Sequence, residues 1–236
     1  MDFNSNNYNS YVDTATTTSM VSSAMKKVFV KMTLALIVTG LVSYFCASSE
    51  TFMTFCFTNR WFMWVLVLAE LGLVFGINAG INKLPSATAT GLFYLFAVIN
   101  GLMLAPIFIV YTGESIAKTF FITAGTFGAM AIFGYTTRQD LSKIGNILFM
   151  ALIGLVIAMI VNIFTHSNTL DWIITFAGVI IFVGLTAWDT QKLRQLAQVM
   201  PADQVGRLAT IGALSLYLDF INLFLFLLRI FGSSRD

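Results

Sequence analysis

The stretch LATIGALSLYLDFINLFLFLLRIF, residues 208–231, is 24 residues long and carries two charges, Asp219 and Arg229. About 20 apolar residues suffice for a helix to cross the hydrocarbon of a bilayer, so this stretch reads as a membrane span. Asp219 falls near its middle, where a carboxylate costs about 3 kcal/mol on insertion scales. The preceding apolar run holds a second acid, Asp189. Two acids on consecutive spans point to use: pairing, sharing a proton or lining a polar path.

Outward from there, further apolar runs at 28–46, 61–82, 87–111, 116–135, 145–164 and 170–193 bring the spans to seven. The 236-residue chain is 58% hydrophobic and 10% charged, against about 25% charged in soluble domains, and its mean hydropathy is +0.84. The predicted fold class is all-α: one polytopic transmembrane domain over 25–236, with short connections that favour antiparallel neighbours. Residues 1–24 are rich in Ser, Thr, Asn and Tyr and are expected to form a flexible polar tail. No cleavable leader is visible, so the first span is expected to serve as an uncleaved insertion signal. With the N-terminus in the cytoplasm, nine of the 13 Lys and Arg residues fall on the inner side; the positive-inside rule therefore predicts N-in and C-out. A dispersed net charge of +2 argues against nucleic acid as a partner. The lipid bilayer is the expected partner, with the chain a monomer or weak homo-oligomer.

Several features read as packing. Gly72, Gly76 and Gly80 recur every fourth residue, a stripe that lets another helix approach closely. Pro106, Gly125, Gly128 and Gly134 are expected to bend helices or thin them for contact. Cys46 and Cys56 lie near the predicted outer face; a disulfide and two inert thiols both stay open there. His166, in a polar outer loop, is expected to be solvated. Glu70 falls near the middle of the second span, where an ionisable group is a functional candidate by default. Its simpler reading is a protonated Glu bonded to a neighbouring helix. Lys83, beyond it in the chain, is predicted to snorkel to the inner interface.

Helical spacing groups the two acids with polar neighbours. Ser215, Asp219 and Asn222 lie at i−4, i and i+3, and Gly212 extends the stripe inward. Thr175, Gly178, Phe182, Thr186 and Asp189 share a face of the sixth span by the same spacing. The carboxylate depths overlap if the sixth helix continues through 194–198, at about 1.5 Å per residue. Two carboxylates within about 3–4 Å hold a single proton between them. Such a pair is a latch, closed while the proton is shared and opened by repulsion when both ionise, or engaged by a cation. The alternative is two acids satisfied separately by Ser, Thr or Asn.

The segment Ala213-Leu214-Ser215-Leu216-Tyr217-Leu218-Asp219-Phe220-Ile221-Asn222-Leu223-Phe224 resembles the signature of the transmembrane Bax-inhibitor-motif family. FGYTTRQDLS at 133–142, GLTAWDTQK at 184–192 and Asn100-Gly101-Leu102 resemble its bacterial branch. The resemblance implies six helices around a central seventh, with Asp219 in the bundle core. It also implies a pH-sensitive calcium leak in which Asp189 and Asp219 form the pH sensor. Members with this activity carry a Glu in the second helix, matched here by Glu70, and an Arg near that helix's inner end. Ile81 stands where that Arg would be and Lys83 is the nearest base, so an Arg–Asp ion pair lacks its Arg. Other bacterial relatives are associated with a membrane-bound quality-control protease that they are thought to inhibit.

The expected function is a pH-sensitive leak channel or H+-coupled transporter for a cation, with Ca2+ the first candidate, in a bacterial inner membrane. Asp189 and Asp219 are the gate. Glu70, Ser215, Asn222 and Thr186 are candidates along the path, and Lys83 is the candidate inner-end base. No cofactor and no resident metal are expected, only transient Ca2+ on the oxygens of Asp189 and Asp219. The alternative function is a non-transporting regulator of a membrane-bound quality-control protease. No enzyme is expected. An intramembrane aspartyl protease also uses two acids, but Asp219 lacks the Gly-x-Gly before it that such proteases carry, and 208–231 holds no Lys for a retinal Schiff base.

Overall fold

Val21, Ala24, Met25, Val28, Met32 and Ala35 follow the spacing of one helix face, and all six are buried. They form the inner stripe of α1 (Ser5–Ala47) in a computed structural model that describes residues 5–80 and 84–235. The helix therefore starts well before the predicted boundary at 25. Part of the expected flexible tail is helical, and Val21 and Ala24 belong to the core. The physical reason is that the exposed Ser22 and Ser23 interrupt the apolar run in sequence but not the apolar stripe in space.

The chain continues through α2 (Glu50–Thr58), α3 (Arg60–Gly80), α4 (Ser86–Leu104), α5 (Ile107–Val110), α6 (Gly113–Thr136), α7 (Ser142–Thr165), α8 (Asn168–Val199) and α9 (Val205–Phe231). Seven segments are long and apolar enough to cross a membrane: Thr18–Ala47, Trp61–Gly80, Ser86–Val110, Gly113–Thr136, Ser142–Thr165, Asn168–Val199 and Val205–Phe231. They correspond to the seven predicted runs. Among the described residues there is no β-strand, only an isolated bridge between Tyr111 and Ser234.

Local chemistry sets the helix ends. The side chains of Ser49, Thr112 and Ser167 accept the N–H groups of Phe52, Ser115 and Leu170, satisfying donors that the first turn leaves free. Pro106 divides the third span into α4 and α5, because its ring and missing N–H break the i to i−4 ladder. His166 closes α7 with φ 46°, in the left-handed region. It is exposed, as expected of a loop residue, but its backbone role was not evident from the sequence.

α9 is the axis of the bundle. It packs on α1, α4, α6 and α8, and 72% of its most apolar window is buried, against 6% for Ser142–Thr165 and 11% for Trp61–Gly80. α7 leans on α8, and α3 leans on α4. Six helices thus surround a seventh, two of them joined to it through a neighbour.

Of the glycines predicted to pack, Gly134 makes a close approach to another helix, and Gly145 and Gly101, outside that prediction, do so as well. A Cβ on Gly134 would strike the Ala187 carbonyl, one on Gly145 would enter the Trp188 ring, and one on Gly101 would meet the Thr39 carbonyl oxygen at 2.9 Å. Gly72, Gly76, Gly125 and Gly128 have nothing within 4 Å of an added Cβ, and Gly80 would meet only Leu84. Among the described residues, none fills the predicted packing stripe on α3 at Gly72 and Gly76. α3 instead buries Ile77 and bonds Glu70 to α4, which leaves Gly72 and Gly76 exposed.

Two polar clamps hold the helix ends nearest Lys31 and Arg194. Lys31 Nζ donates to Thr90 Oγ1 and Thr210 Oγ1, each at 2.8 Å, tying α1 to α4 and α9. Gln191 Oε1 accepts the Leu141 N–H at 2.8 Å, and its Nε2 donates to the Gln139 carbonyl at 2.7 Å. Arg194 Nη1 donates to the Tyr135 carbonyl at 2.6 Å and lies 5.5 Å from its ring centroid. The segments 133–142 and 184–192, far apart in sequence, are thus held against each other.

Gly134→Val should lower stability by about 1–3 kcal/mol or more, the usual effect of overpacking, whereas Gly128→Ala should be neutral or slightly stabilising. Thermal unfolding of the two variants in detergent checks the contrast.

Candidate functional site

On α9, Ser215, Asp219 and Asn222 fall on one side and border a cavity of about 580 Å3. α8 contributes Asp189 and Lys192 to it, α7 contributes Phe149, Leu152 and Met159, and Arg229 stands at its far end. The space exists because α7 packs on α8 without closing on α9. A second cavity, about 220 Å3, opens toward Gln204 and Arg207 and shares Asp189, Lys192 and Ser215 with the first. From Arg207 to Arg229 the two extend along α9 for about 33 Å at 1.5 Å per residue, close to the ~30 Å of a hydrocarbon core.

At the junction of the cavities the Ser215 hydroxyl donates to Asp189 Oδ2. Asp219 is buried, and its Oδ2 has no hydrogen-bond partner. An acceptor without a partner forfeits about 1–3 kcal/mol, and Asp219 borders the larger cavity, from which a donor or a cation could reach it. The expected bond between the two carboxylates is not among the hydrogen bonds of the structure. Both acids face the same cavity, but Asp189 is satisfied by Ser215, one turn before Asp219. α8 does run on past Leu193 to Val199, as overlapping depths require. Lys192 Nζ sits 5.0 Å from the Trp188 ring centroid, a cation held beside Asp189. At the opposite end Arg229 pairs with Asp171 at 3.0 Å.

The other candidates fall elsewhere. Thr186 is fully buried, and its hydroxyl donates to the Phe182 carbonyl of its own helix at 2.7 Å. It borders neither cavity; three residues before Asp189 it is turned by about 60° around the helix, and α8 is enclosed by α6, α7 and α9. Asn222 does border the larger cavity, with its Nδ2 donating to the Leu218 carbonyl at 2.8 Å. Glu70 borders neither. Its Oε1 accepts from Asn100 Nδ2 at 2.8 Å, the neighbouring-helix bond of its simpler reading. Lys83 and Ile81 lie outside the described residues.

Glu70 instead ends a chain of polar contacts on the opposite side of α9. The Tyr217 hydroxyl donates to Asn100 Oδ1 at 3.1 Å and lies 2.6 Å from Thr39 Oγ1, which donates to the Ala97 carbonyl at 2.8 Å. Two hydroxyl protons serve these three contacts, so at any instant one of them lacks its hydrogen. Ser43 donates to the Gly101 carbonyl beside them at 2.8 Å. Sequence reasoning missed this network. Its signal was an Asn at the centre of an apolar span, in one of the segments that carry the family resemblance.

Cys46 and Cys56 are free. Burial pushes the Cys56 thiol up, and the neighbouring Cys46 adds to that, which favours the inert thiol form.

A family model described as inhibitor of apoptosis-promoting Bax1 matches residues 21–236. The chain belongs to the Bax inhibitor family. Inner membrane protein YbhL of Escherichia coli K12 is 50% identical over 214 residues, covering 89% of this chain and 92% of YbhL. An uncharacterized protein of Borreliella burgdorferi is 42% identical over 214 residues, covering 90% of this chain and 92% of its own length. One of Rickettsia prowazekii is 39% identical over 234 residues, covering 96% and 99%. In this Bax inhibitor family member, the segments that carried the resemblance are the ones that clamp α8 to the turn between α6 and α7, bond Asn100 to Glu70, and present Ser215, Asp219 and Asn222 to the cavity.

Tyr217→Phe removes the hydroxyl shared by Asn100 and Thr39 and should cost about 1 kcal/mol, the net worth of a typical hydrogen bond. Asn100→Leu strands the Glu70 carboxyl as well and should cost about 1–3 kcal/mol. Unfolding midpoints of both variants in detergent test that order.

Proposed function

We propose that this protein is a pH-sensitive leak pathway for a cation, Ca2+ being the first candidate, in a bacterial inner membrane. The N-terminus and the Lys- and Arg-rich end lie in the cytoplasm. The ion moves along the two cavities beside α9, and the observation that carries this reading is their meeting at the bond from Ser215 to Asp189. That bond is the closed gate. Carboxylates are suitable oxygen ligands for a hard cation, and Asp219, with one oxygen unsatisfied, is the station just past the gate. Protonation neutralises both acids and removes the attraction for the ion. Ionisation of both sets like charges across one cavity and drives the helices toward the open form. The latch in this reading is a serine and two acids, rather than two acids in direct contact. The protein acts without enzymatic chemistry, and Ca2+ is cargo rather than a resident metal.

A second reading, a non-transporting regulator of a membrane-bound quality-control protease, draws support from a different feature. Gly72 and Gly76 leave a face of α3 open to a helix from outside the chain.

Ca2+ flux into liposomes, measured in steps from about pH 5 to pH 8, separates the two. The leak reading expects a pH-dependent flux that Asp219→Asn makes insensitive to pH. Removing a hydrogen bond to a charged group shifts an equilibrium by about 1.5–3 kcal/mol, so Ser215→Ala should raise basal leak roughly tenfold to a hundredfold. Absence of flux from folded wild-type protein at every pH would sink the leak reading and favour the regulator.

A further inference from the structure

α1 packs on α4, α8 and α9, and α6 packs on α8 and α9, but these two helices leave a cleft between them. The cleft has a volume of about 710 Å3. Phe29 and Leu36 of α1 form one wall, Phe127 and Gly128 of α6 form the other, and Phe220 of α9 is the floor. Nothing lies within 4 Å of an added Cβ at Gly128, so the α6 wall is open there.

We propose that this cleft binds one anionic phospholipid, its headgroup at Lys26 and an acyl chain along the apolar floor. Three observations carry the assignment. The first is depth. Lys26 and Leu36 both border the cleft and are separated along α1 by about 15 Å at 1.5 Å per residue, half of a ~30 Å hydrocarbon core. The apolar part is therefore one leaflet deep, with the cation at headgroup level.

The second is charge. Lys26 is exposed and has no acidic partner; the one ion pair among the described residues is that of Arg229 with Asp171. Ser22 and Tyr135 border the same end and offer hydroxyl donors to a phosphate, and Arg194 lies over the Tyr135 ring. The third is the surroundings. The cleft opens sideways, between helices that cross the membrane, so lipid is what meets it. A helix from a second copy would fill apolar space but leave Lys26 unneutralised. A phospholipid supplies both the chain and the anion.

Acyl chains gain little by leaving other lipid for an apolar cleft, so the preference should come from the headgroup. One Lys near an anionic surface corresponds to about a fivefold preference. The test uses the full chain, delipidated in mild detergent, offered phosphatidylglycerol, phosphatidylcholine of the same chains, or inorganic phosphate, with bound molecules counted by native mass spectrometry. The expected result is one phosphatidylglycerol per protomer, retained about fivefold over phosphatidylcholine, with no retention of inorganic phosphate alone. Lys26→Ala should equalise the two lipids. Gly128→Phe, whose ring grows into open space, should displace both while keeping the unfolding midpoint, and Ala124→Phe serves as a second filler should the first fail to fold. Equal retention of phosphatidylglycerol by wild type and every variant would overturn the proposal. So would capture of inorganic phosphate alone, or a wild-type dimer that Gly128→Phe splits. None of these readouts depends on ion flux, so the result is independent of the leak reading.

Discussion

An unsatisfied carboxylate oxygen at Asp219, inside the most enclosed helix of the bundle, is the constraint around which the rest is arranged. In lipid there is no water to rescue a stranded polar group, and every backbone N–H and C=O must find its partner within the helices. A chain that keeps Asp219 must therefore enclose the helix that carries it, and α1, α4, α6 and α8 pack around α9. The same requirement explains the arrangement at Lys31. Among the described residues its ammonium pairs with no acid, and two threonine hydroxyls from different helices supply the acceptors.

α9 carries polar chemistry on two sides. Ser215, Asp219 and Asn222 border the cavities, whereas Tyr217, about 200° around the helix from Ser215 or Asp219, enters the contacts with Thr39, Asn100 and Glu70. The first side is spacious and incompletely satisfied, as a path for protons or ions needs to be. The second is closely packed, with Tyr217 between the rings of Phe93 and Phe96. One helix thus has a side that can change its bonding and a side that holds it in register. Glu70 belongs to the holding side, although its type and depth alone suggested the path.

Much of this was legible from residue order. Seven spans follow from the length of the apolar runs, and the grouping of Ser215, Asp219 and Asn222 follows from helical spacing, because both depend only on neighbours along one helix. The tail boundary was misjudged for the opposite reason. Ser22 and Ser23 break the linear run, but the stripe of Val21, Ala24, Met25 and Val28 passes between them. Glycines were similarly ambiguous. Gly134 and Gly128 look alike in sequence, yet one lies against the Ala187 backbone and the other borders open space.

Composition and periodicity alone determined that this chain is a helical membrane protein with two acids in its last two spans, since the cost of charge and of bare peptide groups in hydrocarbon leaves few other solutions. Which oxygen meets which donor was decided only by the tertiary structure. Sliding α9 along α8 by one turn, four residues or about 6 Å, would exchange Ser215 for Asp219 as the partner of Asp189, and rotating α8 by about 60° would turn Thr186 from core toward cavity. Those offsets are set by side chains on other helices, such as the ring of Trp188 against Gly145 and the amide of Gln191 on the α6–α7 turn, and no pattern within a single span contains them.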